Sequence, residues 1–450
     1  MNPDKTLRLS SYTIQVELND RKNQVLLIHG YTGAVDIVSK ELASTLNHCN
    51  QLPESCIAKL TERGYLTFQD AEDEYAYVRR IANVLSRRNS VRKKDFTIIV
   101  SYCCNFKCPY CFEIERLNKN GKHTLTPSEA ERLFDAMLEI EPNRKLHNNS
   151  ITLFGGEPLL KSNLPIIERI VSLGVSRGYK FTATTNGYDL DSYLHLLNPS
   201  KIYGVQVTID GIKDTHNARR VHSSCQDTFS KIIANIKAAL QVGALIKVRV
   251  NLDSSNITEI QDLLIFLQQE HILGHKNFKI YGEIIDGEGN FCPTDYTKHN
   301  DNLDSNCFIE TLSKVTPPLP YSLSLYTNIY NAIIRHQPIS LNPQHCGANA
   351  TTYILDPKGN IYSCHEYVGS EQNIIGTYIP HVNWNKEILD IWHNRISTHI
   401  DNCAHCKYAL LCGGGCTVKA QNSHKQYCCD NFENKLIGIT KLIFNNISHE

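Results

Sequence analysis

The pattern of apolar and polar residues predicts an α/β barrel in the middle of the chain. Between residues 96 and 320, short apolar runs alternate with longer segments whose apolar residues recur every three or four positions. Runs of the first kind predict strands, and segments of the second kind predict helices. The predicted strands cover residues 96–100, 151–154, 181–185, 204–209, 245–250 and 278–281. Six parallel βα units give a partial (β/α)6 TIM-type barrel, whose reactive residues should lie at the C-terminal ends of the strands.

The helices between these strands are predicted near residues 126–140, 162–177, 227–241 and 258–270. The first of them begins clearly, because Thr126, Pro127 and Glu129 give a capping box with proline at the first helical position. These segments place the barrel at residues 95–320.

The first ninety-odd residues predict a separate small domain, residues 1–94. Two strand-like runs, residues 12–18 and 24–28, are split by the polar turn 19–23 and predict a hairpin. Helical spacing of Val35, Val38, Leu42 and Leu46 predicts a helix, and further helices are expected at residues 54–63, before Gly64, and at 74–88.

Composition narrows the class of protein. The 450 residues contain 46 Lys and Arg against 46 Asp and Glu, which does not suggest a large nucleic-acid-binding surface or a polybasic membrane anchor. The sequence has no run of apolar residues long enough to cross a bilayer and no signal peptide. Seventeen cysteines are too sparse for a disulfide scaffold. We therefore expect a cytoplasmic protein that binds neither nucleic acid nor membrane.

Three cysteines follow the first predicted strand of the barrel. Cys104, Cys108 and Cys111 have the spacing CxxxCxxC, so that one loop can bind three irons of a [4Fe-4S] cluster and leave the fourth open. The alternative is a structural zinc site, in which Cys103 or His123 would supply the fourth ligand.

Polar and glycine residues mark the ends of the following strands. Residues Gly155, Gly156, Glu157 and Pro158 end the second strand, where glycines let the backbone approach a ligand closely. Further candidates at or after the later strands are Asn186, Thr208, Asp210, Arg220, Arg249 and Asn251. Each of these polar residues could instead stabilise a loop by hydrogen bonding.

A second group of cysteines fills the C-terminal part, residues 321–450. Cys346 is followed by twelve residues, Gly359, four residues and Cys364. The spacing then continues as CxxCx5CxxxC through Cys403, Cys406, Cys412 and Cys416, and ends at Cys428 and Cys429.

These motifs together resemble the radical S-adenosylmethionine (SAM) superfamily with a SPASM extension. The resemblance implies that SAM occupies the open iron at Cys104, Cys108 and Cys111, and that the reduced cluster cleaves it to methionine and a 5′-deoxyadenosyl radical. It also implies that the GGEP segment and the polar residues at the strand ends bind SAM. Three [4Fe-4S] clusters are implied, one that binds SAM and two that are auxiliary.

The resemblance also implies the ligands of the auxiliary clusters. The outer cluster would take Cys403, Cys406, Cys412 and one of Cys428 or Cys429. The inner cluster would take Cys346, Cys364 and Cys416, with Cys292, Cys307 or no protein ligand on its fourth iron. His365 stands where sulfatase-maturing relatives have a catalytic aspartate, which counts against that activity. His365 and Glu366 remain candidates for proton transfer, or are residues of a hydrogen-bonded strand end.

A hairpin with three helices before the barrel resembles the winged-helix domain that binds leader peptides of ribosomally made precursors, although a structural cap is the plain alternative. The resemblance therefore implies a maturase that cross-links side chains of a precursor peptide through C–C or C–O–C bonds, with a flavodoxin- or ferredoxin-type electron donor. More narrowly, the chain resembles the synthases of tryptophan-cross-linked peptides. The alternatives are a formylglycine-forming sulfatase maturase, a thioether-forming maturase and a zinc-stabilised interaction protein.

Overall fold

The structure is a computed structural model that describes residues 6–18, 23–285, 311–312, 314–429 and 432–447. Cys292 and Cys307, the candidate extra ligands from the sequence, lie outside these ranges. Among the described helices, none is both long and apolar enough to span a bilayer.

The N-terminal part consists of short strands and three helices. The strands are β1 (Arg8–Leu9), β2 (Thr13–Glu17), β3 (Gln24–His29), β4 (Val35–Ser39) and β5 (Leu66–Thr67), and the helices are α1 (Lys40–Thr45), α2 (Glu54–Arg63) and α3 (Ala71–Ser90). Strands β2, β3 and β4 form an antiparallel sheet in that order, and β1 pairs with β5. The predicted hairpin is confirmed, since Thr13 lies opposite His29 and Glu17 opposite Val25.

One prediction in this part is wrong. Val35 and Val38 were expected on a helix with Leu42 and Leu46, but residues Val35–Ser39 form β4, in which Val38 pairs with Val25. β-branched residues pack well on a pleated sheet, and this preference outweighs the helical spacing. The helix begins only after Ser39, whose hydroxyl accepts a hydrogen bond from the Leu42 N–H at 3.2 Å.

The middle part confirms the six predicted parallel strands, although a short 3-10 helix (Leu190–Leu196) rather than an α-helix follows the third of them. Its strands are β6 (Lys94–Ile99), β7 (His147–Phe154), β8 (Lys180–Thr185), β9 (Ile202–Thr208), β10 (Leu245–Leu252) and β11 (Phe278–Ile284). Its helices are α4 (Ile114–Asn120), α5 (Pro127–Ile140), α6 (Leu164–Ser176), α7 (Lys213–Arg219), α8 (Thr228–Gln241) and α9 (Ile260–Gln269). Neighbouring strands from β6 to β11 pair in parallel and in chain order, so all six C-terminal ends meet at one edge of the sheet.

Apolar faces hold the helices against this sheet. Helix α5 shows the expected capping box between Thr126 and Glu129, and it buries Leu133, Phe134 and Met137. Because these residues recur at three- and four-residue spacing, they lie on one face of the helix and enter the same core as the strands.

The C-terminal part extends the same sheet. Its strands are β12 (Thr352–Leu355), β13 (Asn360–Tyr362), β14 (Gly376–Thr377) and β15 (Asn383–Trp384), and β12 and β13 form a hairpin. Its helices are α10 (Leu323–Ile334), α11 (Lys386–His393), α12 (Asp401–Ala404), α13 (Ala409–Cys412), α14 (Thr417–Asn422) and α15 (Phe432–Ile447). Strand β12 pairs in parallel with β6, and the result is a continuous sheet ordered β11-β10-β9-β8-β7-β6-β12-β13-β14-β15.

Candidate active site

A cavity of about 490 Å³ opens at the C-terminal ends of the barrel strands, between the barrel and the C-terminal part. Thirteen of the candidate residues line it: Cys104, Cys108, Cys111, Gly155, Gly156, Glu157, Asn186, Thr208, Arg220, Arg249, Asn251, Glu366 and Cys416. The described lining does not include Pro158, Asp210 or His365. Residues from the barrel and from the C-terminal part therefore line one cavity.

The three thiols of the cysteine loop lie together in this cavity. The Cys111 N–H donates to the Cys108 carbonyl oxygen at 3.1 Å, which folds the loop tightly. Burial raises the pKa values of the Cys104 and Cys108 thiols, and burial together with the neighbouring Glu113 raises that of Cys111 to about 12. Since coordination to a metal deprotonates a thiol outright, three thiols brought together on one loop suit a metal cluster.

Two tyrosines anchor this loop. The hydroxyl of Tyr102 donates to the carboxylate of Asp356, in the turn between β12 and β13, at 2.6 Å. The hydroxyl of Tyr110 donates to the carboxylate of Asp210 and accepts from the Arg220 guanidinium at 2.7 Å. The sequence reasoning missed both tyrosines, although an aromatic hydroxyl within the cysteine motif is the signal that could have found them.

The two glycines of the GGEP segment allow β7 to end directly against the cysteine loop. A Cβ on Gly155, whose φ is +102°, would meet Ile99 Cγ2 at 2.5 Å, and one on Gly156 would meet the Cys103 carbonyl oxygen at 2.4 Å. The backbone there has no room for a side chain, so the segment faces the cavity through its main chain.

Glu157 ties two strand ends together beneath the cavity. Its carboxylate accepts hydrogen bonds from the Leu159 N–H at 2.8 Å and from the Thr185 hydroxyl and the Asn186 N–H, both at 2.5 Å. The side chain is 1% exposed, and burial raises its pKa to about 7. Both carboxylate oxygens of Glu157 thus accept hydrogen bonds from other groups of the protein.

Asp210 belongs to a buried network rather than to the cavity wall. It accepts from the Asn251 N–H at 3.1 Å and lies 3.7 Å from Arg219, which forms a 2.6 Å salt bridge with Asp253. The sequence reasoning did not find Arg219 or Asp253. This network fixes the ends of β9 and β10 relative to the cysteine loop through Tyr110.

Polar groups on β9 and β10 remain available to a ligand. The Nε of Arg249 is buried and has no hydrogen-bond partner among the described residues. Thr208 and Asn251, each 8% exposed, line the cavity beside it. An unpartnered buried donor beside polar side chains fits a polar, anionic group of a bound molecule.

The two candidates for proton transfer differ in their positions. Glu366 lines the cavity, and burial raises its pKa against the opposing effect of Arg116 and Arg249. The ring of His365 packs edge-to-face on Phe154 at 4.6 Å, and burial lowers its pKa to about 4.

A further carboxyl group, Glu113, also lines the cavity, and the sequence reasoning missed it. Burial and the charge of Glu366 raise its pKa to about 8. Its place two residues after the last cysteine of the loop is the signal that could have drawn attention to it.

The remaining cysteines form two groups. Burial raises the pKa of the Cys364 thiol, and nearby Cys346 and Cys416 raise it further, so these three lie close together. In the second group, burial raises the pKa of Cys403 to about 11 and that of Cys412 to about 12. Among the described residues, no three His, Cys, Asp or Glu side chains are grouped as ligands of a single metal ion.

The two adjacent cysteines at the end of the pattern make different contacts with the second group. Burial is the main cause that raises the pKa values of the Cys403 and Cys406 thiols, and the neighbouring Cys429 raises both of them further. Cys428 packs on Gly415, where an added Cβ would lie 1.7 Å from the Cys428 carbonyl oxygen and 3.1 Å from the Cys428 Cβ.

Known proteins are similar to this chain in sequence, and solved structures are similar to it in fold. The family model "Radical SAM superfamily" matches residues 98–267. The cysteine-type anaerobic sulfatase-maturating enzyme of Clostridium perfringens (strain 13) is 24% identical over 336 residues, which are 70% of this chain and 85% of that enzyme. The GTP 3′,8-cyclase of Rhizobium etli (strain CIAT 652) is 32% identical over 165 residues, or 36% of this chain and 45% of the cyclase.

Two solved structures share the fold over most of the chain. Native anSMEcpe with bound AdoMet and the Kp18Cys peptide has a TM-score of 0.56 and 17% identity, and covers 79% of this chain and 99% of its own. SuiB of Streptococcus suis bound to the precursor peptide SuiA has a TM-score of 0.52 and 16% identity, and covers 94% of this chain and 98% of its own.

The matched residues 98–267 run from the end of β6 to α9 and include the cysteine loop and the GGEP segment. This superfamily uses a [4Fe-4S] cluster and SAM. Residues 98–267, which run through most of the six-stranded partial barrel, therefore match a radical SAM domain.

Proposed function

We propose that the protein is a radical SAM maturase that cross-links side chains of a ribosomally made precursor peptide. The observation that carries this proposal is the shared cavity, whose lining includes Cys104, Cys108 and Cys111 of the cysteine loop together with Cys416 of the C-terminal part. A peptide side chain bound there would lie between the source of a radical and an acceptor of electrons.

The proposal divides the chain into three regions with different roles. Residues 1–94 recognise the peptide, residues 95–320 form the radical SAM barrel, and residues 321–450 form the SPASM extension. Within the barrel, Cys104, Cys108 and Cys111 hold the SAM-binding cluster. The main chain of Gly155 and Gly156 and the side chains of Thr208, Arg249 and Asn251 would then contact SAM, because they line the cavity.

The other candidate residues of the barrel hold those contacts in place. Glu157 fixes the main chain of Asn186, and Asn186 bonds to Asn105 in the cysteine loop at 2.7 Å. Asp210 and Arg220 hold Tyr110 in the same loop. The binding surface for SAM is thus pre-organised by buried hydrogen bonds.

Two auxiliary [4Fe-4S] clusters complete the proposed cofactor set. Cys346, Cys364 and Cys416 hold the inner cluster. Cys403, Cys406, Cys412 and Cys429 hold the outer one, and we prefer Cys429 to Cys428 because Cys429 raises the pKa values of both the Cys403 and Cys406 thiols.

When bound, SAM and its cluster would supply a radical that removes a hydrogen atom from a peptide Cβ. An auxiliary cluster would accept the electron released when the peptide radical bonds to a neighbouring ring or heteroatom. One proton is also released, and Glu366 is placed to take it because it lines the cavity. The product peptide has therefore lost two hydrogen atoms for each cross-link.

The edge of β4 is the proposed binding site for the peptide's leader. Among the described residues, β4 pairs with β3 alone, and Ile37 on it is 45% exposed. An extended peptide can add to such an edge as a further strand. The SuiB structure holds a precursor peptide and covers 94% of this chain, which supports a peptide partner. A flavodoxin- or ferredoxin-type protein would supply electrons.

Formylglycine formation on a sulfatase is the second candidate, because the relative from Clostridium perfringens is a sulfatase-maturating enzyme and matches 70% of this chain. His365 in place of the aspartate of that branch counts against it. A thioether-forming maturase would differ in requiring cysteine in its peptide.

The test combines metal analysis with product analysis. Anaerobically reconstituted protein should bind about twelve irons, and a Cys104, Cys108 and Cys111 to Ala triple variant should bind about four fewer and form no 5′-deoxyadenosine from SAM and dithionite. Little iron with stoichiometric zinc would contradict the enzyme proposal.

Peptides encoded beside the gene then serve as substrates. A product that lacks two hydrogen atoms and resists sequencing at two linked residues supports cross-linking. If the protein instead converts a cysteine or serine of a sulfatase peptide to an aldehyde, its function is sulfatase maturation.

A further inference from the structure

Arg395 lies between the two groups of C-terminal cysteines. It follows α11, and its half-buried guanidinium donates hydrogen bonds to three carbonyl oxygens, those of Gly414 at 2.8 Å, Gly415 at 2.9 Å and Gln426 at 3.1 Å. These acceptors are all main-chain groups, and the fork of the guanidinium matches their spacing.

The loop that Arg395 holds connects the two groups. It consists of Gly413, Gly414 and Gly415, between Cys412 of the outer set and Cys416 of the inner set. The three glycines have φ values of +68°, +81° and +72°, a left-handed run that residues with a Cβ rarely adopt. The N–H groups of Gly414 and Gly415 also donate to the Cys412 thiol, which acts to lower its pKa.

The charge of Arg395 has no carboxylate partner among the residues that the structure describes. Burial lowers its pKa, and the neighbours that oppose this effect are the thiols of Cys403, Cys416, Cys412 and Cys346, two from each group. A partly buried cation among neutral carbonyls is costly unless an anion lies near it. The anions that the surroundings offer are thiolates.

We infer that Arg395 is the positioning and charge-compensating residue shared by both auxiliary clusters. The inference rests on the proposed function, since it requires that the two cysteine groups hold clusters. A cluster with thiolate ligands gains a negative charge on reduction, and a nearby cation stabilises the reduced form. Arg395 therefore raises the reduction potentials of both clusters while it fixes the loop between them.

The experiment measures midpoint potentials by anaerobic redox titration, followed by electron paramagnetic resonance, of reconstituted full-length protein. Arg395→Gln keeps an amide that can donate to the loop but removes the charge, and Arg395→Lys keeps the charge but loses the fork. The exposed Arg335 offers the matched control, Arg335→Gln.

We expect Arg395→Gln to make reduction of both auxiliary clusters at least tenfold less favourable, which is about 59 mV for one electron. Arg395→Lys should stay closer to the wild type. The potential of the SAM-binding cluster and the values of Arg335→Gln should not change. If Arg395→Gln fails to bind iron while Arg395→Lys binds about twelve irons, the need for the charge is supported as well.

Unchanged potentials in an Arg395→Gln protein with about twelve irons would overturn the inference and leave the proposed function intact. A shift in only one cluster would overturn the shared role. Loss of iron in both variants would also overturn it, because only the shape of the guanidinium would then matter. If the wild-type protein itself bound only about four irons, the proposed auxiliary clusters and this inference would fail together.

Discussion

The hydroxyl of Tyr110 lies 2.7 Å from the Arg220 guanidinium and donates to the carboxylate of Asp210. It therefore links the cysteine loop to the ends of β9 and β10, where the candidate SAM contacts lie. Tyr110→Phe keeps the ring but leaves two buried charged groups without this partner, a loss of about 1–3 kcal/mol.

We expect this variant to bind SAM about tenfold more weakly, which corresponds to about 1.4 kcal/mol, as measured by equilibrium binding to reconstituted protein. Tyr179→Phe is the matched control, since the Tyr179 hydroxyl bonds to His147 at 2.7 Å, away from the cavity lining. Equal affinity in the two variants would contradict the linking role of Tyr110.

Gly156 gives a second prediction. An added Cβ would lie 2.4 Å from the Cys103 carbonyl oxygen, a backbone atom that cannot move without moving the cysteine loop. Gly156→Ala should therefore reduce 5′-deoxyadenosine formation at least tenfold, an effect of about 1.4 kcal/mol. Gly204→Ala adds the same methyl group on β9 where the nearest atom is 3.6 Å away, and it should leave this rate within about twofold of the wild type.

The adjacent cysteines allow a direct comparison. Cys429→Ala should remove a ligand of the outer cluster and lower the iron content by up to about four per chain, whereas Cys428→Ala should leave it unchanged. Iron and sulfide analysis of both variants decides between them. The reverse pattern would exchange their roles.

His29 makes the stability of the N-terminal part depend on pH. Burial lowers its pKa from 6.5 to about 4, although Glu74 acts in the opposite direction. The Thr32 N–H points at its Nδ1 at 3.3 Å, and its Nε2 pairs with the Ser10 hydroxyl at 3.0 Å. Protonation of Nδ1 would place a second donor against the Thr32 N–H and leave the Thr32 hydroxyl, 2.9 Å away, as its acceptor.

The folded state thus holds His29 neutral, while the unfolded chain takes up a proton near pH 6.5. Its contribution is complete above pH 6.5 and is lost as the pH falls toward about 4. Between pH of about 8 and about 5.5, the free energy of local opening at β3 should fall by about 1.4 kcal/mol, as measured by hydrogen exchange corrected for its intrinsic pH dependence. His29→Gln should remove this slope, whereas the exposed His48→Gln should keep it.

Local signals predicted most of the barrel. The six strands and the capping box at Thr126 depend on residues near in sequence, and the structure confirms them. Strand β4 was missed because spacing alone could not separate a β-branched edge strand from a short helix. The pairing of β12 with β6 was also beyond the sequence, since it joins residues that no local pattern relates.

The candidate site shows the same division. Motif spacing predicted that the cysteine loop of Cys104, Cys108 and Cys111 and the glycines Gly155 and Gly156 lie at one site, and they line one cavity. Spacing alone does not predict that the carboxylates of Asp210 and Glu157 accept hydrogen bonds from N–H groups of the protein. The direction of a side chain after a strand depends on the neighbouring strands. Tyr110 and Arg395 were missed for the same reason, since their roles arise from contacts between distant segments.

The pairing of β12 with β6 has a consequence for how the protein is made. Thr352 pairs with Asp95 and Leu355 with Ile98, so the partner of β6 leaves the ribosome only after more than half of the chain has followed. Until then, one edge of the apolar strand β6 stays open to other chains, a form prone to aggregation. A chain cut before β12 would keep that open edge permanently. By covering this edge with β12, the C-terminal part also protects the barrel against aggregation. A barrel of this kind transferred to another protein would need β12, or another strand, to pair with β6.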